Sequence, residues 1–313
     1  MPEEKVMREV FIEKLWNRMR SDDNIFFLSG DLGAVALDKI RRDFKDRFIN
    51  VGIAEQDLIN LSIGLALEGF IVYAYAIAPF LTMRAYEQIR NLSMISQLKK
   101  LNINLMGVGA GISYDLSGPT HHCLEDISIL RVLPNIEVFS PSDWVLTEKF
   151  VGFSINAKRP KYIRLDGKPV SRIYDRKIAL DNGFHELKRG KKVCLVSTGY
   201  MTHVALKVAE ELFDSNVKIG LIDIFLLKYL NKQLLFNLLK GYEYVVTIEE
   251  GFINKGGLDS VISNLLIDKE SDIKIKKIGF GDSYVFDNGD REYLHRLNGL
   301  SKEDIIKTVR RLK

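Results

Sequence analysis

Along most of this chain, short apolar runs that end in Gly or a polar residue alternate with longer segments of helical character, and that alternation limits the fold most. Parallel strands cannot be joined by a tight hairpin and need a crossover, usually a helix. The repeated order therefore predicts an α/β protein with mainly parallel sheets flanked by helices. In the first half the strand-like runs are NIFFLSGD (24–31), FINVGIA, FIVYAYAIAPF (70–80), INLMGVGAG (103–111), IEVFSPSD and KYIRLDG (161–167). Helices are expected near LINLSIGLALEG, TMRAYEQIRNLSMISQLKK and EDISILRVL. Residues 171–190 have mixed polarity and read as a connector, with room for a short hairpin. A second alternation runs from KKVCLVSTGYMTHVALKVAEELF through VKIGLIDIFLLK, YEYVVTIEEGF, GGLDSVISNLLI and IKIKKIGFGD. The expected organisation is a first domain over 1–170, a linker over 171–190 and a smaller α/β domain over 191–313, with no internal sequence repeat.

A length of 313 residues is compatible with two such domains, and 46% hydrophobic with 27% charged residues describes a globular chain. Lys plus Arg exceed Asp plus Glu by only four, and apart from short clusters such as KRGKK (188–192) the basic residues are scattered, which argues against nucleic acid as a partner. The two cysteines, Cys123 and Cys194, form neither a CxxC pair nor a disulfide framework, which suggests a reducing cytoplasm. No stretch approaches the ~20 apolar residues of a membrane span. The N-terminal MPEEKVMREVFIEKLWNRM reads as an amphipathic helix with Val6, Val10, Phe11 and Leu15 near one face.

Within RFINVGIAEQDLINLSIGLALEG (47–69), Glu55 stands at the entrance of an otherwise apolar helix. A carboxylate in a first turn is favoured by the helix dipole, worth about 0.3–1 kcal/mol. The surrounding hydrophobicity implies more, because a buried carboxyl needs a hydrogen-bond partner or must become neutral. A ligand could be that partner.

In GISYDLSGPTHHCLEDISILR (111–131), two adjacent histidines follow a loop with Gly118 and Pro119. Adjacent imidazoles point different ways and no third soft ligand has a zinc spacing, so a shared metal is not expected. The loop nevertheless follows a parallel strand, where α/β proteins place ligands, and an imidazole there could bind a hydroxyl or shuttle a proton. The aromatics Tyr73, Tyr75 and Tyr86 read as core packing, whereas Phe80, beside Pro79 at a strand end, could face a cleft.

Taken together, FINVGIAEQ, APFLTMRAYEQIRN, GPTHHCLEDISILRVLPN and FSPSD, in that order, resemble the pyrimidine-binding domain of transketolase-like thiamine diphosphate enzymes, 1-deoxyxylulose-5-phosphate synthase among them. VVTIEEGFINKGGLDSVIS (245–263) resembles the C-terminal domain of the same group. The resemblance implies that Glu55 hydrogen-bonds N1′ of the cofactor's aminopyrimidine and promotes the imino tautomer that deprotonates thiazolium C2. It implies that Phe80 stacks on that ring, with Ile53 also binding cofactor, and that His121 meets the substrate.

Ser117 in DLSGPTH replaces the Asp usual in the family and belongs with the substrate-binding candidates, and Arg164 in KYIRLDG is a candidate substrate-facing cation. The GDG and downstream Asn that hold Mg²⁺ against the diphosphate in this family are missing, SGDLG (29–33) being only a superficial match. The resemblance therefore implies the C-terminal subunit of a split transketolase. An N-terminal partner would supply the diphosphate domain and Mg²⁺ in an α2β2 heterotetramer acting on small sugars. The alternatives are a 2-oxo acid dehydrogenase β-subunit, or a non-catalytic regulatory subunit of the same fold.

Overall fold

The computed structural model describes residues 3–312. Met1 and Pro2 of the expected N-terminal helix, and Lys313 at the end of the expected second domain, lie outside the described residues.

The chain opens with a short strand, β1 (Glu4–Val6), before helix α1 (Met7–Met19), which buries Met7, Phe11, Ile12, Leu15 and Met19 along one face. The expected helix thus begins later, because Glu4–Val6 pair antiparallel with β8 (Pro169–Ser171) and close a two-stranded ribbon at the end of the first domain. Val10 is half-buried on the flank of the α1 face.

Between these ends lie β2 (Ile25–Ser29), α2 (Leu37–Asp43), β3 (Phe48–Asn50), α3 (Glu55–Leu67) and β4 (Ile71–Ile77). A π-helical turn, Phe80–Arg84, leads into α4 (Tyr86–Leu98), followed by β5 (Ile103–Val108), α5 (Asp126–Val132), β6 (Glu137–Phe139), α6 (Trp144–Asn156) and β7 (Lys161–Leu165). The strands form one six-stranded sheet, ordered β3-β2-β4-β5-β7-β6, with every pairing parallel. Burial on both faces explains why β4 and β5 are almost continuously apolar. Leu58, Ile59 and Ile63 of α3 cover one face, and Phe11, Leu15, Phe150 and Val151 of α1 and α6 cover the other.

The second domain contains β9 (Phe184–Lys188), β10 (Val193–Ser197), α7 (Met201–Asp214), β11 (Gly220–Ile224), α8 (Lys232–Leu239), β12 (Tyr244–Phe252), α9 (Leu258–Asp268), β13 (Lys274–Phe280), α10 (Arg291–Leu297) and α11 (Lys302–Arg311). Its sheet runs β13-β12-β10-β11-β9, parallel except for β9 against β11. The stretch expected as a connector therefore gives its last part to this sheet, and no hairpin forms within it, since β8 pairs with β1 and β9 with β11. The remainder is clamped: Asp143 accepts from the backbone N–H groups of Ile173 and Tyr174, at 2.9 Å each.

A buried polar cluster joins the domains. Glu250, on β12, receives Arg291 Nε at 2.7 Å and Nη2 at 2.5 Å, while His295 Nε2 lies 2.6 Å from its Oε1. Arg291 Nη1 reaches Asp166 of the first domain at 2.8 Å. Burial alone would push the Glu250 carboxyl up, but Arg291 and His295 hold it well below the usual carboxylate range.

Candidate active site

Three loops at the carboxyl ends of parallel strands bring the candidate residues together, which is where open α/β sheets place ligands. Glu55 follows β3, Phe80 follows β4 and His121 lies in the loop after β5. Glu55 is the first residue of α3 and only 2% exposed. Its Oε2 accepts from Arg84 Nη1 at 2.6 Å. The expectation that a buried carboxyl here needs a partner is met inside the chain, by a residue that sequence reasoning does not single out.

Phe80 and Arg84 begin and end the same π-helical turn, a distortion common at functional sites. The Arg84 guanidinium carbon sits 4.9 Å from the centre of the Phe80 ring. The other side of the cluster is His121, whose ring centre lies 5.2 Å from that of Phe80 in an edge-on arrangement with a 71° interplanar angle. Phe80 and His121 are both half-buried, so each retains an accessible edge. His121 Nδ1 is 3.1 Å from Thr120 Oγ1, which leaves Nε2 for other contacts.

The loop that carries His121 is held at several points. Cys123 N–H donates to Gly111 O at 2.7 Å and closes its base. Asp115 then ties it to both domains, accepting from Lys168 Nζ and, at 2.7 Å, from the N–H of Arg291. His122 points away from His121 into the protein, with Nε2 3.4 Å from Asp115 O, and burial lowers its proton affinity. The second histidine is therefore part of the loop's interior.

Ser117, at the end of a short 3₁₀ turn, is exposed on this loop. Ile53 is 76% exposed two residues before Glu55, an apolar side chain offered to whatever covers this edge. Arg164 is placed differently from expectation. Its guanidinium is buried, with Nε 2.8 Å from Asp126 Oδ2 and Nη2 3.0 Å from Glu250 O, so it fastens α5 and the second domain to β7 and presents no free cation to a substrate. Tyr162 also donates to Asp126 Oδ2, at 2.7 Å.

The cluster thus offers a buried carboxyl, an aromatic face and an imidazole edge, a set suited to a flat, nitrogen-bearing ring and an adjacent hydroxyl or carbonyl. The described residues include no group of three or more His, Cys, Asp or Glu able to hold a metal ion. No helix among the described residues is long and apolar enough to cross a membrane, and both cysteines are buried and free.

The fold is that of a two-domain α/β protein whose first, all-parallel sheet gathers Glu55, Phe80 and His121 at its carboxyl edge. The family models for the transketolase pyrimidine-binding domain and the transketolase C-terminal domain match residues 3–169 and 184–305, and the chain belongs to the transketolase family. It is 31% identical over 266 residues to a subunit of the apulose-4-phosphate transketolase of Actinobacillus succinogenes, covering 85% of this chain and 84% of that one. It is 29% identical over 312 residues to a putative transketolase C-terminal section of Methanocaldococcus jannaschii, covering 97% and 95%. A solved structure described as a split gene transketolase, inactive beta4 tetramer, superposes with a TM-score of 0.87 at 31% identity over 98% of both chains.

Proposed function

We propose that this chain is the C-terminal subunit of a split, thiamine diphosphate-dependent transketolase that transfers a two-carbon ketol unit from a ketose to an aldose. The observation that carries this reading is the buried Glu55 carboxyl at the sheet's carboxyl edge, in one cluster with Phe80 and His121. Extensive similarity to one chain named as a transketolase subunit and to another named as a C-terminal section supports a separate partner. The split-gene neighbour, itself described as an inactive tetramer of β chains, supports assembly into an oligomer. The partner holds the diphosphate and Mg²⁺, and the working assembly is an α2β2 heterotetramer in the cytoplasm.

When bound, thiamine diphosphate supplies the nucleophilic carbon and the electron sink for carbon–carbon cleavage. The chain's own residues orient and protonate. Glu55 holds the aminopyrimidine nitrogen and exchanges a proton with it, a hydrogen bond made stronger by burial. Phe80 fixes the ring's plane and Ile53 covers it from the other strand-end loop. His121 Nε2 hydrogen-bonds the substrate oxygen on which charge develops, and Ser117 lines the approach.

Ketol transfer assayed with thiamine diphosphate and Mg²⁺, for the chain alone and for the chain co-purified with a diphosphate-domain partner, tests the proposal. Transfer is expected only from the pair. Transfer by the isolated chain would refute the split, and oxidative decarboxylation of pyruvate without ketol transfer would refute the activity.

A further inference from the structure

We propose that Arg84 is a built-in stand-in for the cofactor's ring, holding Glu55 and Phe80 in place before assembly and swinging out when the aminopyrimidine enters. The inference rests on the functional reading above, which assigns Glu55 to a ring nitrogen and Phe80 to the ring face. One guanidinium now makes both contacts: Nη1 donates to Glu55 Oε2 at 2.6 Å while its carbon lies 4.9 Å from the centre of the Phe80 ring. A guanidinium is planar, delocalised and edged with N–H donors, and so matches an aminopyrimidine in the two respects that this site reads. A ring nitrogen directed at Glu55 Oε2, with its ring over the same face of Phe80, would compete with the guanidinium for both contacts.

The asymmetry of the pair shows which member moves. Glu55 is 3% exposed in its side chain, fixed at a helix start, whereas Arg84 is 47% exposed and has an open path to solvent. Without Arg84, the free chain would carry a buried, unpaired carboxylate, a costly arrangement. With Arg84 retained, Glu55 Oε2 and the neighbouring face of Phe80 stay occupied by the guanidinium. The arginine therefore stabilises the chain before loading and must leave for the site to work. It acts through Glu55 and Phe80 as a positioning residue and has no place in the bond-breaking steps.

The test is the thiamine diphosphate Kd of the assembled complex, from quenching of intrinsic tryptophan fluorescence at fixed Mg²⁺, for wild type, Arg84→Ala and Arg84→Lys, together with the melting temperature of each chain alone. Displacement predicts that Arg84→Ala melts lower yet binds cofactor about two- to fivefold more tightly, the size expected of releasing a partly exposed ion pair. Arg84→Lys, which keeps the charge without the planar fork, should fold even where the alanine variant does not and should also bind more tightly than wild type. An unchanged or raised Kd in the variants, while wild type binds normally, would overturn the stand-in role and leave the functional reading intact. Absence of binding in every complex, wild type included, would overturn both.

Discussion

Gly111 passes so close to Glu250 that a Cβ added to it would collide with the carboxylate Oε2. Its φ of +57° is the left-handed region, so two independent reasons select glycine at the base of the His121 loop. Glu250 cannot retreat, since Arg291 and His295 fix both its oxygens. Gly111→Ala is expected to cost about 2 kcal/mol or more through strain and lost interdomain pairing. Urea unfolding measures it; a change within about 0.5 kcal/mol of zero, the size of a neutral surface substitution, would contradict this account.

Arg164 fastens the domains from inside. Replacing it with Met leaves Asp126 buried with only the Tyr162 hydroxyl as a side-chain donor, and removes the bond to Glu250 O. Breaking a buried pair in this way is expected to destabilise the fold by about 3–5 kcal/mol. If Arg164→Met instead kept its stability and raised only the KM for a sugar, the substrate-facing role expected from the sequence would be restored.

These two positions mark the limits of what the sequence discloses. Strands such as IVYAYAI and INLMGV are readable because burial on both faces makes them apolar from end to end. FHELK, an edge strand of mixed exposure, carries no such signal and reads as part of a connector. Glu55 is legible because a lone carboxylate among apolar neighbours is a local anomaly. Arg84 is not, although it stands four residues after Phe80 in the same segment, because nothing local announces a π-helical turn. Arg164 misleads for the opposite reason: its partners, Asp126 and the Glu250 carbonyl, are 38 and 86 residues away, and only the folded chain brings them to it.

Glu55→Gln in the assembled complex preserves shape and hydrogen-bonding capacity but cannot exchange a proton. A loss of about 10²–10⁴-fold in kcat is expected, the range for a general acid or base, with cofactor still bound. Steady-state ketol transfer alongside cofactor titration separates the two effects. Activity within about tenfold of wild type, well short of that range, would favour a regulatory subunit that has kept the fold without the chemistry.

Asp223 on β11 accepts hydrogen bonds from Ser142 across the domain boundary, Tyr174 of the connecting segment and Thr202 of α7, at 2.5, 2.8 and 2.8 Å. Burial pushes its carboxyl up to about 6 from an ordinary 3.8, against the downward pull of those three hydroxyls. A carboxyl raised on folding binds its proton more tightly in the folded chain than in the unfolded one. Its contribution is therefore greatest below about pH 4, falls as the pH rises to about 6, and is level above that. The total change is on the order of 3 kcal/mol. Asp223→Asn has no proton to lose, so the stability advantage of wild type over this variant should shrink between about pH 4 and 6 and then hold steady. Urea midpoints at intervals from about pH 4 to 8 would show it, and an advantage that stayed constant across that range would mean that Asp223 is ionised throughout.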